Sequence, residues 1–356
     1  MPSTIALARG WPAPECLPVA ELAECARGAL ERDGTTILSY GSSLGYAPLR
    51  EWAAQRHGVD ASRVFLTNGS LQGFVFLAQR LAPGKRVLVE RPTYDRPLKI
   101  LRELGAEVEA VDSDDEGLDP DALEQTLRAG DPPAFLYLIP TFQNPSGKTL
   151  GLERRRRVVE LAAEHDLLVI EDDPYGLVRF EGEPLPSLHE LSGGTTAYSS
   201  SFSKTVSPGL RVGWFVLPDK LARELEATAT GTYITPVLLG QATVYEFLQR
   251  GHFEPNLERV RGLLGARRDA MLAALERELP DLRTTRPDGG YFLWAELNGV
   301  DASELLPRAE AAGVTFVKGA DFGGEPDTLR LAYSFVSPEE IAEGVARLAG
   351  ALPAAV

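Results

Sequence analysis

The chain has 356 residues and an ordinary globular composition, with 44% hydrophobic and 24% charged residues. Its length exceeds what one hydrophobic core usually serves, so we expect two domains. A formal net charge of −15 disfavours nucleic acid or an anionic membrane as the main partner. No apolar run approaches the roughly 20 residues of a membrane span, and no basic apolar leader opens the chain, so we predict a cytoplasmic protein without membrane contact.

Cysteine and histidine are too sparse for a metal or disulfide framework. The two cysteines, Cys16 and Cys25, make no zinc site by themselves. The four histidines stand far apart in sequence without the spacing of metal ligands. We therefore predict no metal.

Short apolar segments alternate with helical segments between about residues 64 and 218. Continuous apolar runs are typical of strands buried on both faces, as in a parallel sheet covered by helices. The pattern predicts an α/β fold with a mainly parallel seven-stranded sheet flanked by helices. The predicted strands are 63–67, 86–90, 108–111, 134–139, 167–172, 195–200 and 212–217.

Helix signals fill the intervals between these strands. Asp119 followed by Pro120 predicts a capped helix start, and Gly84 is predicted to stop the helix that follows the first strand. The four arginines at 154–157 fall within a helical pattern, where a solvated face is the expected interpretation.

The pattern changes after residue 218, first to mainly helical sequence and then, from 283, to short strands and helices. This predicts a smaller α+β domain. We assign 36–245 to a large domain, and we assign 1–35 with 246–356 to the small one. The helical stretch 253–279 is expected near the hinge between the domains.

Residues 197–215 (AYSSSFSKTVSPGLRVGWF) place one lysine among hydroxyls, shortly before an arginine. Hydroxyls with Arg211 suggest a bound phosphate or carboxylate. Lys204 beside such a site could form a Schiff base if its pKa is depressed. The alternative is an exposed loop with incidental serines. The hydroxyls are those of Ser199, Ser200, Ser201 and Ser203.

Three upstream segments end predicted strands with polar residues. TNGSLQGF (67–74) is a Gly-Ser turn that opens a helix, whose free N–H groups suit a phosphate. Asn144 follows the strand at 134–139, at the sheet edge where ligands of open α/β sheets bind. VIEDDPYG (169–176) carries carboxylates that could bind a metal, act as acid or base, or pair with a buried cation.

Together these segments describe a ligand with a phosphate, a basic ring nitrogen and a carbonyl that accepts a lysine, which is pyridoxal 5′-phosphate. The chain resembles the fold-type-I pyridoxal-phosphate enzymes of the class I/II aminotransferase family, on the branch with 2-aminoadipate and kynurenine aminotransferases and the aminotransferase-like domains of MocR regulators. The resemblance covers nearly the whole chain. Its segments are ARGWPAPECLPVAEL, YGSSLGYAPLREW, TNGSLQGF, ERPTYDR, PTFQNPSG, EDDPYG, SSSFSKTVSPGLRVGW, RPDGGYFLW and LRLAYS.

The resemblance implies a role for each residue around the cofactor ring. Lys204 would form the Schiff base with the cofactor and then move the proton between Cα and C4′. Asp172 would pair with the pyridine nitrogen and keep it protonated. Tyr175 and Asn144 would donate hydrogen bonds to the phenolic oxygen, and Tyr94 would stack on the ring face.

By the same resemblance, the phosphate lies at the start of a helix and beside an arginine. Glutamine is frequent in the family at the position of Leu71, where leucine cannot hydrogen-bond, so either the backbone N–H suffices or phosphate binding is weaker. The implied cofactor contacts at this end are Gly69, Ser70, Leu71, Ser201, Ser203 and Arg211.

The resemblance also implies the substrate contacts and the assembly. Arg330 would clamp the substrate α-carboxylate as a planar fork, with Asn144 and Gly10 as further substrate contacts. Tyr40 would reach the active site of a neighbouring subunit, which makes a homodimer the expected assembly.

The reaction implied is ping-pong transamination from a 2-amino acid to a 2-oxo acid, with 2-oxoglutarate as the expected acceptor. A carbon–sulfur lyase on the same fold would use the same core residues. A non-catalytic sensor of pyridoxal phosphate or an amino acid is the second alternative. Arg9 could meet a distal carboxylate or be solvated, and Tyr233 would favour aromatic or aliphatic side chains.

Overall fold

A computed structural model describes residues 4–353 of the chain. Within this range the strands are β1 (Ile5–Ala6), β2 (Val64–Thr67), β3 (Arg86–Arg91), β4 (Glu107–Asp114), β5 (Gly117–Leu118), β6 (Leu136–Leu138), β7 (Val169–Asp172), β8 (Ala197–Ser201), β9 (Gly213–Val216), β10 (Arg283–Thr284), β11 (Phe292–Glu296), β12 (Val314–Thr315), β13 (Val317–Lys318) and β14 (Thr328–Ala332). Short 3₁₀ turns lie at Pro14–Cys16, Ala61–Arg63, Gly176–Val178 and Gly319–Phe322.

The helices of the same range surround these strands. They are α1 (Val19–Ile37), α2 (Ala47–His57), α3 (Ser70–Leu81), α4 (Asp95–Glu103), α5 (Pro120–Ala129), α6 (Leu152–Glu164), α7 (Leu188–Leu191), α8 (Asp219–Tyr233), α9 (Leu238–Gln249), α10 (Phe253–Glu278), α11 (Ala302–Ala311) and α12 (Pro338–Ala351). None of these helices is long and apolar enough to span a membrane.

The large sheet has the strand order β2-β9-β8-β7-β6-β3-β4-β5. Neighbouring strands from β8 through β4 pair in parallel, whereas β9 is antiparallel to both β8 and β2. Adjacent residues of β7 show why the central strands are apolar throughout. Val169 and Ile170 pack into different hydrophobic clusters, because successive side chains of a strand point to opposite faces. The mainly parallel sheet flanked by helices is confirmed.

The predicted strand count was one too low, because the large sheet has eight strands in the described part of the chain. All seven predicted strands are present, but β4 extends to Asp114 and turns back into the two-residue strand β5. Gly117, with φ of 97°, permits that tight return. β4 alternates exposed and less exposed residues at the sheet border, so its extension carries no apolar run to predict it.

The arginine run at 154–157 is only partly solvated. Arg155 is buried, and its guanidinium donates to the carbonyl oxygens of Leu150, Pro140 and Pro186. The other three arginines pair with carboxylates on or near α6. The expectation of a wholly solvated face was wrong because one arginine of a helix turn necessarily faces the sheet.

The last third of the chain and the first residues form separate small sheets. The order β10-β11-β14-β13 makes a four-stranded antiparallel sheet, and β1 pairs in parallel with β12. The long helix α10 packs against α12, while α1 packs against α9. The pairing of β1 with β12 brings residues 5 and 6 to the small sheets, whereas the division into 36–245 and 1–35 with 246–356 stays a prediction.

Candidate active site

A cavity of about 790 Å³ lies where the carboxyl ends of β6, β7 and β8 face the four-stranded sheet. Parallel strands bring the polar residues that follow them to one edge, which is why segments distant in sequence meet here. The predicted residues that line this cavity are Gly10, Ser70, Leu71, Tyr94, Asn144, Asp172, Tyr175, Ser201, Ser203, Lys204, Arg211 and Arg330.

Lys204 follows β8 and points into the cavity. Its Nζ donates a hydrogen bond to the Gly10 carbonyl oxygen at 3.1 Å and lies 5.0 Å from the centre of the Tyr291 ring. Burial, with help from Arg330 and Arg211, lowers the pKa of Lys204 from 10.5 to about 8. Both effects disfavour the charged ammonium, so a neutral, nucleophilic amine is accessible near neutral pH.

Asp172 ends β7 with one carboxylate oxygen satisfied and one unsatisfied. The Tyr137 hydroxyl donates a hydrogen bond to Asp172 Oδ2 at 2.7 Å, whereas Oδ1 is buried and has no hydrogen-bond partner within residues 4–353. Burial raises the pKa of Asp172 to about 6, and the hydrogen bonds from Tyr137 and Ser199 act in the opposite direction. A protonated ring nitrogen next to Oδ1 would satisfy this oxygen and favour its ionised form.

The start of α3 and Arg211 form an open cradle at the other end of the cavity. Gly69 has a φ of 84°, and a Cβ added there would lie 2.2 Å from Arg211 Nη2. The first N–H groups of α3 have no acceptor within the helix. Ser201 and Ser203 complete the cradle with hydroxyl oxygens 2.8 Å apart. Unpaired N–H groups, hydroxyls and a guanidinium fit a phosphate.

Asn144 and Tyr175 present polar groups between these two ends. The Asn144 Oδ1 accepts a hydrogen bond from Arg330 at 2.9 Å, while its Nδ2 has no partner among residues 4–353. The Tyr175 hydroxyl likewise has no partner in that range, and burial raises the pKa of Tyr175 well above its usual value. Both groups therefore remain donors, as a phenolic oxygen requires.

Tyr94, the residue immediately before α4, also lines this cavity. Burial raises its pKa to about 12, so its ring stays neutral. The ring's position in the cavity wall fits the predicted stacking on the cofactor. Leu71 also lines the cavity, in the first turn of α3.

Arg330 lies in β14 of the small sheet, and its guanidinium is almost fully buried. It donates to the Ala8 carbonyl oxygen at 2.9 Å and lies 4.1 Å from the centre of the Phe292 ring. Its Nε is buried and has no hydrogen-bond partner in the described part of the chain, and burial lowers the pKa of Arg330 to about 10. A planar cation with unused donors suits a carboxylate held at two points.

Residues 8–11, called here the lid segment, line the cavity beside Arg330 and Lys204. Ala8 and Gly10 accept the hydrogen bonds from Arg330 and Lys204, and Ser334 donates to the Trp11 carbonyl oxygen at 2.9 Å. A Cβ at Gly10 would lie 2.6 Å from the Phe292 ring, so the segment packs closely on that ring.

Three of the predicted residues do not line this cavity, and one of them, Tyr40, was predicted to reach a neighbouring subunit instead. Tyr40 is 82% exposed and does not line the cavity of its own chain. Gly69 contributes the bend and space of the cradle and is not itself a lining residue. Tyr233 is bound through its hydroxyl to the Ser43 carbonyl oxygen at 2.7 Å and does not line the cavity.

Two further residues of this site, Tyr137 and Phe292, were not predicted from the sequence. Tyr137 supports Asp172, and Phe292 supports both Arg330 and Gly10. Tyr137 was detectable as the one hydroxyl within the apolar run AFLYLI. Phe292 lies in a matched segment, but its contacts depend on three distant parts of the chain. Across residues 4–353, no three His, Cys, Asp or Glu side chains are grouped to hold a metal ion.

The residues present fit pyridoxal phosphate. Within residues 4–353 the Asp172 Oδ1 has no hydrogen-bond partner, Gly69 leaves space beside Arg211, and the Lys204 amine lines the same cavity. Similarity to known proteins supports the same cofactor. A sequence model described as aminotransferase class I and II matches residues 10–348.

Two relatives and one solved structure illustrate the similarity. A 2-aminoadipate transaminase from Thermus thermophilus is 41% identical, over 99% of this chain and 90% of its own length. An aromatic-amino-acid aminotransferase from Thermococcus litoralis is 36% identical, over 97% and 87%. The crystal structure of alpha-aminoadipate aminotransferase from Thermus thermophilus, complexed with N-(5′-phosphopyridoxyl)-L-leucine, superposes with a TM-score of 0.93 at 40% identity and covers 98% of this chain and 92% of that chain.

Proposed function

Because this chain belongs to the aminotransferase class I and II family, we propose that it transfers the amino group of a 2-amino acid to 2-oxoglutarate by a ping-pong mechanism. It is a pyridoxal-phosphate-dependent aminotransferase. The observation that carries the proposed residue roles is that one cavity holds the buried amine of Lys204, the unpartnered Asp172 Oδ1 and the unused Nε of Arg330.

Bound pyridoxal phosphate supplies a carbonyl that condenses with amines and a ring that withdraws electrons from the substrate Cα. The Asp172 carboxylate would hold the proton on the ring nitrogen at its unpartnered Oδ1. The neutral Lys204 Nζ would accept the proton from the substrate Cα, since burial already lowers its pKa to about 8. Arg330 would orient the substrate by its α-carboxylate, and the lid segment would exclude water.

A single-turnover titration tests this proposal. The cofactor-loaded protein is mixed with one amino acid at a time, and its absorbance spectrum is followed. We expect conversion to the spectrum of pyridoxamine phosphate, and reversal on addition of 2-oxoglutarate. Release of pyruvate and ammonia would instead support the carbon–sulfur lyase, and a spectrum that no amino acid changes would support the sensor.

We also propose a homodimer in which Tyr40 reaches the partner's cavity. Four large apolar side chains are exposed on two adjacent segments, Leu38 by 71%, Tyr40 by 82%, Ile234 by 55% and Val237 by 57%. Hydrogen bonds of Ser43 with Thr230 and Tyr233 join these segments. Contiguous exposed apolar surface of this kind supports a protein contact.

Complementation between inactive variants tests the dimer. Lys204→Ala and Tyr40→Ala are each inactive or strongly impaired on this proposal, and refolding them together makes mixed dimers. If Tyr40 acts across the interface, each mixed dimer gains one complete site, and about one quarter of wild-type activity returns. No recovery in a mixture shown to form mixed dimers would contradict the proposal.

The cytoplasm remains our proposed location. Both cysteines, Cys16 and Cys25, are buried and unpaired, which suits a reducing compartment. Fractionation of the source cells would test it.

A further inference from the structure

One cation of the cavity wall has neither an assigned ligand nor an acidic partner. Arg330 and Arg211 are assigned to the substrate α-carboxylate and the cofactor phosphate, and Arg96 lies 3.7 Å from an Asp95 oxygen. The side chain of Arg9 makes no hydrogen bond or ion pair within residues 4–353. A guanidinium has five N–H donors, so all of them are available to a ligand.

Two aromatic rings hold the Arg9 guanidinium in position. Its central carbon lies 4.8 Å from the centre of the Trp11 ring and 4.7 Å from that of the Phe335 ring. Cation–π contacts of this kind occupy the faces of the guanidinium and leave its N–H edges free. The side chain is therefore restrained while its hydrogen-bonding edge remains open.

The backbone fixes where Arg9 stands relative to the reacting groups. The carbonyl oxygens on either side of it, those of Ala8 and Gly10, accept hydrogen bonds from Arg330 and Lys204. Phe335 follows β14, the strand that carries Arg330. Arg9 thus belongs to the same wall as the α-carboxylate clamp.

The acidic residues of the cavity wall do not cancel this charge. Asp95 pairs with Arg96, and Asp321 lies 3.5 Å from the Lys318 amine. Asp172 faces the cofactor end of the cavity. The substrate end therefore keeps one cation in excess of the one assigned to the α-carboxylate.

We propose that Arg9 is a specificity-determining residue that binds the distal carboxylate of dicarboxylic substrates. The inference rests on the proposed aminotransferase function, in which Arg330 binds the α-carboxylate. A 2-oxo or 2-amino dicarboxylic acid would then be held at both ends, whereas an apolar side chain would leave the charge of Arg9 unused.

Arg9→Met tests the proposal because methionine keeps an unbranched apolar chain and removes only the cation and its donors. Single-turnover conversion is measured with glutamate and with norvaline, which has the same carbon chain without the distal carboxylate. We expect the efficiency with glutamate to fall about 30-fold and that with norvaline to change less than about 3-fold. Arg9→Lys should lie between Met and the wild type with glutamate, since it keeps the charge without the fork.

Binding without turnover gives a second readout. Glutarate and pentanoate are titrated into the cofactor-loaded protein and followed by tryptophan fluorescence. Glutarate should bind the wild type more tightly than pentanoate, and Arg9→Met should remove that difference. Arg96→Met is the matched control, because Arg96 lines the same cavity but is paired; it should preserve the preference for glutarate.

The outcomes separate this inference from the proposed function. Equal losses with glutamate and norvaline in Arg9→Met would overturn the inference in favour of a purely structural role in the lid segment. An unchanged preference for glutarate and glutamate would overturn it as well. If the wild type converts no amino acid but still prefers glutarate through Arg9, the recognition stands and the aminotransferase reaction fails.

Discussion

The cofactor half and the substrate half of the cavity are built differently. The cofactor half comprises Asp172, which ends β7, and Lys204 and Arg211, which lie between β8 and β9 of the same sheet. The substrate half joins the lid segment to Arg330, which lies in another sheet and 322 residues away from Ala8. On the proposed roles, residues at one sheet edge would carry out the reaction, whereas a contact between distant parts of the chain would select the substrate. Variants in the cofactor half should therefore lower the reaction rate with every amino acid, whereas variants in the substrate half should mainly weaken substrate binding.

Lys204→Ala should produce the largest effect because it removes the amine that both holds the cofactor and moves the proton. We expect a loss of about 10⁴-fold in single-turnover rate and loss of the visible absorbance band of the bound cofactor. Stopped-flow absorbance with a reactive amino acid measures both. Retention of that band with an unchanged rate would show that another group carries the chemistry.

Asp172→Asn should rank second, as it removes the charge that stabilises a protonated ring nitrogen but preserves the side-chain shape. We expect the single-turnover rate to fall about 10³-fold with every amino acid, because the lost interaction acts on the developing negative charge. Asp321→Asn, in the same cavity wall, serves as the matched control and should stay close to the wild type. A loss confined to particular amino acids would instead assign Asp172 to substrate recognition.

Arg330→Lys should affect binding more than chemistry. Lysine keeps the charge but cannot make the two-point contact with a carboxylate, so kcat/KM should fall about 10²-fold, mainly through KM. The visible band of the bound cofactor should persist, in contrast to Lys204→Ala. Steady-state kinetics with several amino acids measures the effects on kcat and KM separately. A fall in kcat alone would contradict the assignment of Arg330 to substrate binding.

Tyr137→Phe should have the smallest effect and should shift a pH profile. The Tyr137 hydrogen bond favours the ionised form of Asp172, whose pKa burial raises to about 6. Ionised Asp172 is needed to pair with the cofactor, so affinity should be lost as the pH falls through that region. Removing the hydroxyl should move the loss to higher pH.

Fluorescence titration of the cofactor-free protein with pyridoxal phosphate, from pH 5 to 8, would measure this shift as a difference from the wild type. Near pH 6 we expect the affinity of Tyr137→Phe to be about 10-fold lower. Tyr94→Phe is the matched control, since its hydroxyl does not contact Asp172. Identical pH profiles of cofactor affinity for Tyr137→Phe and the wild type would show that Tyr137 does not influence Asp172.

The cofactor half was predictable because its residues follow apolar strands in recognisable order. Asp172 ends a strand that the apolar pattern locates, Asn144 and Lys204 each come shortly after one, and parallel strands bring such positions together. Tyr137 was missed because a hydroxyl inside an apolar run does not reveal which carboxylate it meets. The strand β5 escaped prediction since two residues show no periodicity.

The contacts of the lid segment could not be predicted from local patterns. Its carbonyl oxygens carry no side-chain signal, yet they accept the hydrogen bonds of Arg330 and Lys204. The buried Arg155 shows the same limit, because its partners are backbone oxygens of other segments. Tertiary packing, rather than residue type, decides these positions.

The distance in sequence between the lid segment and its partners has a consequence for synthesis of the protein. All three residues of the cofactor half have been synthesised once the chain has reached Arg211. The Ala8 carbonyl oxygen, in contrast, accepts a hydrogen bond from Arg330, which is synthesised 322 residues after Ala8. Since chains tend to fold from the N-terminus as they emerge, the cofactor pocket can form while the substrate clamp still lacks its arginine. On the proposed roles, we therefore expect the growing chain to form the cofactor pocket before it can bind the substrate carboxylate.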